Sequence, residues 1–189
     1  MVRIFVEGED DKKFIITMLR FFIKNKEIDL GSNNNFDDFI EIMGNKSKLL
    51  NNSEYENISK QIGKKIKKVL FIFDCDFEKD NKKCNGMEKS EECFDSLLKK
   101  LNWNIIIEKD KHLHIFNRNL DYCIAQTIGK EHCLLDIEKC LELNTLRPNR
   151  KPLAALYAIM YPKNPYNLEH PNFTDLKQKL KNLFKEEKQ

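Results

Sequence analysis

Residues 69–76 read VLFIFDCD, five consecutive apolar residues followed by an Asp-Cys-Asp triplet. A continuous apolar run of this kind is typical of a central strand in a parallel sheet, because helices cover both faces of such a sheet. Asp74 and Asp76 follow the carboxyl end of the strand, and open parallel sheets bind their ligands at that edge. On extended backbone, side chains two positions apart point the same way, so we expect both carboxylates to share one hard cation such as Mg²⁺.

The N-terminus repeats this order of a strand followed by acidic residues. Residues 2–6 (VRIFV) predict a buried strand that ends at Glu7. An acidic turn then opens a helix over 11–24, in which apolar residues recur at helical spacing. We expect Glu7 to lie at the same sheet edge as the two aspartates, with Asp11 as a further acidic group.

Strands and helices alternate through residues 1–116, which predicts an α/β domain with an open parallel sheet of about four strands flanked by helices. From residue 117 onward, β-branched runs stop, and we expect a helical appendage over 117–189, packed on the sheet domain. The remaining predictions are strands at 39–43, 103–108 and 113–116, a turn at 44–47, interrupted helical material over 46–68, a surface loop over 77–89, and helices at 90–101, 120–128, 132–143, 153–160 and 173–184.

The carboxylates of Glu7, Asp74 and Asp76 suit phosphoryl transfer. A cation held by a few carboxylates keeps open positions for phosphate oxygens and water. Glu7 would serve as a further ligand or as a proton-transfer group. Each cluster also has a purely structural interpretation, since aspartate after a strand is a common turn or N-cap residue. The occurrence of both clusters at one predicted edge favours the catalytic interpretation.

These residues carry a resemblance to a known family. A hydrophobic strand ending in Val6-Glu7-Gly8, with an acidic residue soon after it, and a later strand ending in Asp74-x-Asp76 resemble the Toprim domain of topoisomerases, bacterial primases, OLD-family nucleases and small ribosomal-RNA maturases. The resemblance covers roughly residues 1–110 and implies a four-stranded parallel sheet. It implies that Glu7 is a general acid/base or metal ligand and that the aspartate pair holds Mg²⁺ or Mn²⁺.

Further positions follow from the same resemblance. The turn at 44–47 is similar to the glycine-lysine turn of stand-alone Toprim proteins, where Lys46 would meet a phosphate, and Asp121 corresponds to an acidic residue that opens a later helix. Residues 77–80 (FEKD) depart from the small residue that many Toprim sequences have there. Glu78 and Asp80 therefore stay open as the third acidic position. Size argues against a complete topoisomerase or primase.

Nucleic acid is the expected partner. Arg118, Arg147 and Arg150 are candidate phosphate-binding residues, because arginine grips phosphate through two parallel hydrogen bonds. The net charge of +3, from 33 basic and 30 acidic residues, gives only a mild attraction to polyanions. We therefore predict a Mg²⁺-dependent nuclease that acts on DNA or RNA, while a partner protein or a homodimer stays open.

Two other functions stay open. Asp74 and Asp76 at a strand end also resemble the aspartates of haloacid-dehalogenase-type phosphatases, although the threonine of that motif is missing and Glu7 would have no role. Alternatively, a Toprim-like module without catalytic partners would bind nucleic acid or a protein. Divalent-ion binding at the carboxylates separates this module from an enzyme.

The cysteines and the N-terminus indicate a cytoplasmic protein. The six cysteines never come closer than seven positions, so no Cys-x-x-Cys pair exists, and we expect reduced thiols. The longest apolar run, over 14–23, is interrupted and falls short of the ~20 residues that cross a bilayer. Acidic residues from Glu7 onward stand where the apolar part of an export signal would continue, so we expect neither a membrane partner nor a signal peptide.

Overall fold

The structure is a computed structural model that describes residues 1–30, 35–76, 83–127 and 166–185. The strands in these ranges are β1 (Val2–Val6), β2 (Ile40–Ile42), β3 (Lys68–Asp74) and β4 (Leu113–Phe116). The α-helices in them are α1 (Glu9–Lys24), α2 (Lys46–Leu49), α3 (Glu56–Ser59), α4 (Met87–Leu101), α5 (Lys109–His112), α6 (Leu120–Thr127) and α7 (Thr174–Phe184). Short 3-10 helices cover Phe36–Asp38, Asn52–Tyr55 and Pro171–Phe173.

The four strands form one parallel sheet in the order β2-β1-β3-β4. In its register, Val6 of β1 lies beside Ile72 of β3, and Asp74 lies beside Phe116 of β4. The predicted α/β class, an open parallel sheet of four strands flanked by helices, is therefore confirmed. All four strands run the same way, so their carboxyl ends share one edge.

β3 is apolar throughout because both faces of the sheet are covered. Leu70 and Ile72 pack on one face in a cluster that includes residues of α1, α6 and α7. Val69, Phe71 and Phe73 pack on the other face with residues of α4 and the 3-10 helix at Asn52–Tyr55. Alternate side chains of one strand thus enter two separate cores, which explains the continuous apolar run.

The predicted strand at 103–108 is wrong, and the fourth strand is β4 instead. The segment does alternate, because Trp103, Ile105 and Ile107 pack against the core beneath β1 and β3 while Ile106 is 81% exposed. It packs against that core without joining the sheet, and the Trp103 indole Nε1–H donates to Ser59 Oγ at 2.8 Å. Period-two burial therefore arose here without strand pairing.

Other boundaries shift by a few residues. The predicted helical material over 46–68 is reduced to α2, α3 and the 3-10 helix between them, and α4 begins three residues earlier than predicted. At α1 the Asp11 carboxylate accepts the N–H of Gly8 at 3.1 Å, so an acidic side chain caps the first turn. The helices predicted at 132–143 and 153–160 lie outside the described residues.

The described parts of residues 117–189 share a core with the sheet domain. Ile124 of α6 and Leu176, Leu180 and Leu183 of α7 are buried in the same cluster as Leu70 of β3. The described residues of α6 and α7 therefore cover part of one face of the sheet. Among the described residues, no helix combines the length and apolarity that crossing a membrane requires.

The expectation that all cysteines are reduced is wrong for one pair. Cys84, just before α4, forms a disulfide with Cys93 inside that helix, with the Cα atoms 5.8 Å apart. The residues just before α4 turn back against the helix, so Cys84 and Cys93 come close although they are nine positions apart. Cys75 and Cys123 are both buried.

Candidate functional site

Glu7 and Asp74 meet at the carboxyl edge of the sheet. β1 and β3 are neighbours and end side by side, so the residues that follow Val6 and Phe73 come together. The Glu7 Oε1 atom accepts the backbone N–H of Asp74 at 2.7 Å. Two residues that are 67 positions apart in the chain are therefore in direct contact, as the order of strands requires.

The Asp74 side chain also holds the start of α6. Its Oδ1 atom accepts the N–H of Leu120 at 3.1 Å, and the Asp74 residue is only 4% exposed. Asp121, the next residue of α6, is buried in the first turn. Negative charge is favourable at a helix N-terminus, so α6 helps to stabilise buried carboxylates at this edge.

Asp76 departs from the geometry that the sequence predicted. β3 ends at Asp74, and Asp76 has a φ of 57°, in the left-handed region, so the two aspartates do not share an extended backbone. The N–H of Asp76 donates to the Arg118 carbonyl at 2.7 Å, which holds this turn against the residues after β4. The assumption that both side chains follow strand alternation is therefore wrong.

Lys46 supplies the positive charge beside Asp76. It follows Asn45, whose side chain accepts the N–H of Lys48 and caps α2. The Lys46 Nζ atom donates to the Cys75 carbonyl at 2.9 Å and lies 3.3 Å from Asp76 Oδ2, with the Lys46 residue only 8% exposed. The lysine predicted to meet a phosphate thus contacts the acidic cluster itself.

Arg118 lies at the same edge as the carboxylates. Its φ is 62°, and its N–H donates to Cys75 Sγ at 3.0 Å. The guanidinium carbon lies 4.2 Å from the centre of the Tyr122 ring, a distance typical of a cation–π contact. Burial raises the pKa of the Cys75 thiol, which therefore acts here as a buried neutral group.

The donor set at this edge is chemically suited to a hard divalent cation, because Glu7, Asp74 and Asp76 all present carboxylate oxygens. Within the four described ranges, however, no group of three or more His, Cys, Asp or Glu side chains is arranged to hold a metal ion. Lys46 contacts the Asp76 carboxylate, so a cation that binds there competes with its ammonium. Four other candidates, Glu78, Asp80, Arg147 and Arg150, lie outside the described residues.

A histidine-carboxylate pair connects β4 to α7, away from this edge, and sequence reasoning missed it. The His114 Nδ1 atom is 2.8 Å from Asp175 Oδ2, and Lys179 also donates to that oxygen at 2.7 Å. Hydrogen bonding to His114 is the main cause that lowers the pKa of Asp175 to about 2, whereas burial lowers the pKa of His114. Both residues line a cavity of about 270 Å³. They are 61 positions apart, and no local motif marks them.

The comparisons with known proteins add no family to this description. No protein-family model, no curated protein and no solved structure matches the chain. The functional conclusion therefore depends on the residues at the sheet edge.

Proposed function

We propose that this protein is a Mg²⁺-dependent nuclease of Toprim type, which hydrolyses phosphodiester bonds in DNA or RNA at the carboxyl edge of its sheet. The observation that carries the proposal is the contact between the Glu7 carboxylate and the backbone N–H of Asp74. It brings the two acidic clusters of the sequence to one edge, beside Asp76 and the Lys46 ammonium. These are also the residues that carry the resemblance to the Toprim domain.

The roles of the residues follow from their positions. Glu7, Asp74 and Asp76 would hold the cation, which when bound would polarise the phosphate and activate water. Glu7 is half-buried beside Asp74, so its carboxylate is also placed to accept a proton at this edge. Lys46 and Arg118 supply positive charge next to the carboxylates, where a phosphate backbone would bind.

The test is a cleavage assay with the full chain on single-stranded DNA, double-stranded DNA and a structured RNA, with Mg²⁺, with Mn²⁺ and with a chelator. We expect metal-dependent cleavage that falls by about 100-fold or more in Glu7→Gln, Asp74→Asn and Asp76→Asn. These substitutions keep the size and the acceptor oxygen of each side chain. Glu9→Gln is the matched control, because Glu9 is exposed in the same turn and carries the same charge. Equal activity in all five proteins would remove the assignment.

A second candidate, a Toprim-like module that binds nucleic acid or protein without catalysis, has a specific observation in its favour. Each of the three carboxylates has an internal partner: the Asp74 N–H, the Leu120 N–H and the Lys46 ammonium. Such contacts are also what purely structural carboxylates make. Titration with Mg²⁺ separates the candidates, since binding that is lost in Asp74→Asn and Asp76→Asn supports the enzyme.

A further inference from the structure

The cysteines of the Cys84–Cys93 disulfide are more exposed than the two other cysteines that the structure describes. Both of its residues are partly exposed, whereas Cys75 and Cys123 are buried. Among the described cysteines, the two in this bond are therefore the more exposed to solvent. Exposed disulfides are more often labile or regulatory than those enclosed in a core.

The backbone at this disulfide is held in an unfavourable conformation. Cys84 has a φ of 76°, in the left-handed region that residues with a Cβ atom rarely adopt. Such a conformation persists only where surrounding contacts impose it. Among the described contacts of Cys84 are the disulfide to Cys93 and the Ser90 hydroxyl, which donates to the Cys84 carbonyl at 2.8 Å. Opening the disulfide removes the covalent contact and leaves the hydrogen bond from Ser90.

A continuous set of hydrogen bonds connects this segment to the acidic cluster. Two residues after Cys84, the N–H of Gly86 donates to the Cys75 carbonyl at 2.8 Å. The same carbonyl accepts the Lys46 ammonium at 2.9 Å, and that ammonium lies 3.3 Å from the Asp76 carboxylate. A shift of Cys84 would therefore be passed through Gly86 to the Cys75 carbonyl, which holds Lys46 beside Asp76.

We propose that Cys84 and Cys93 form a reversible redox modification site that controls access of a divalent cation to Asp76. In the disulfide form, Gly86 and Cys75 keep the Lys46 ammonium on Asp76. In the dithiol form, residues 84–86 loosen, Lys46 loses part of its support, and a cation competes more easily for the carboxylate. The direction of the effect on activity depends on the proposed function, because it assumes that Asp76 binds a metal.

The redox step needs a dithiol as co-reactant. One thiolate of the dithiol attacks the sulfur of one cysteine, the S–S bond breaks, and the other cysteine leaves as a thiolate that takes up a proton. The second thiol of the dithiol then attacks the mixed disulfide. This releases the first cysteine as a thiol and the reductant as a cyclic disulfide. Two electrons pass to the protein, and oxidation reverses the step.

The main test is amide hydrogen exchange on the full chain in its oxidised form and after reduction with dithiothreitol. Peptide mapping after iodoacetamide labelling verifies the state of Cys84 and Cys93. We expect the Gly86 amide to exchange at least ten times faster in the reduced protein. The Asp74 amide, which is bonded to Glu7 at the same edge, is the internal control and should change less than two-fold.

The double variant Cys84→Ser/Cys93→Ser cannot form the bond and should show the fast Gly86 exchange with or without dithiothreitol. Equal Gly86 exchange in both redox states overturns the proposal, as does an equal acceleration at Asp74, because the disulfide would then only stabilise the whole edge. Labelling of both thiols without reduction overturns it as well.

Mg²⁺ titration and the cleavage assay, run on both forms, separate this proposal from the proposed function. We expect the reduced form to bind Mg²⁺ at least five times more tightly and to cleave faster at limiting Mg²⁺. If Gly86 responds to reduction but neither form cleaves nucleic acid, the redox site stands and the nuclease function fails. If both forms cleave equally at every Mg²⁺ concentration, the nuclease function stands and the redox control fails.

Discussion

Single residues at the sheet edge each serve the fold and the candidate site together. Asp74 is the clearest case: its backbone N–H orients Glu7, and its carboxylate caps α6 through Leu120. Lys46 likewise supports the Cys75 carbonyl and neutralises Asp76. If the proposed function holds, substitution of such residues changes both stability and cation binding, so isosteric variants are needed to separate the two effects.

The cap that Asp74 provides for α6 should be measurable as stability. We expect Asp74→Ala to lower the free energy of unfolding by about 1–2 kcal/mol, because the buried N–H of Leu120 loses its acceptor. Asp74→Asn keeps an acceptor oxygen and should lose less than half of that amount. Urea denaturation measures both. An Asp74→Ala protein as stable as the parent would contradict the capping role.

The Lys46 ammonium should oppose cation binding at Asp76. Lys46→Met keeps most of the buried stem and removes the charge, so we expect Mg²⁺ to bind about 10-fold more tightly, which corresponds to about 1.4 kcal/mol. Lys48→Met is the control, because Lys48 is exposed on the same short helix. Calorimetric titration without substrate measures the affinity. Unchanged or weaker binding in Lys46→Met would argue that no cation shares Asp76 with this lysine.

The sequence pattern of each element in this fold reflects which of its faces are buried. β3 is buried on both faces and reads as a continuous apolar run, whereas the segment at 103–108 alternates and yet forms no strand. Alternation reports which side chains face a core, and it does not report whether the backbone finds a neighbour to pair with. The segment packs against the core, where the Trp103 ring contacts those of Phe5, Tyr55 and Phe71.

Because Trp103 packs against the core and Ile106 faces solvent, substitutions at the two positions should have very different effects on stability. Trp103→Ala should lower the free energy of unfolding by about 3 kcal/mol, because it leaves a cavity among aromatic rings and removes the hydrogen bond to Ser59. Ile106→Ala should change it by less than about 0.5 kcal/mol, because Ile106 faces solvent. Thermal and urea unfolding of both variants provide the measurement. Similar losses in the two would show that the segment is not oriented as described.

The molecule as a whole is held together by contacts between distant parts of the chain. α7 packs on the sheet through Leu176 and Leu180, and Asp175 at its start bonds to His114 of β4. Asp175 has a lowered pKa and is ionised near neutral pH, so its carboxylate accepts and His114 Nδ1 donates. In the described ranges, His114 Nε2 is buried without a hydrogen-bond partner.

This pair makes stability depend on pH. The folded-state pKa values of His114 and Asp175 are both lowered, so the unfolded chain binds protons first as the pH falls. The stabilisation is complete above the ordinary pKa of each group. It declines below about pH 6.5 for His114, and from about pH 4 toward pH 2 for Asp175. We expect the urea midpoint to fall between pH 7.5 and pH 5.

Variants assign the two parts of this pH dependence. His114→Gln should flatten the curve between pH 7 and pH 5, because no group at that position then takes up a proton on unfolding. Asp175→Asn should flatten the curve below pH 4. Urea denaturation across the pH range measures both slopes, and a slope unchanged by His114→Gln would assign the dependence to other groups.

The sequence alone determined the local features of the fold and the identity of the acidic residues. β-branched and apolar runs predicted β1 and β3, helical periodicity predicted α1, and the aspartates after β3 marked the edge, because these signals act between residues that are close in the chain. Only the tertiary structure decided the rest. The register of β1 against β3 brings Glu7 into contact with Asp74. The left-handed turn at Asp76 places its carboxylate beside the Lys46 ammonium. Contacts across 30 to 67 positions depend on how whole elements pack, and residue spacing carries no record of that packing.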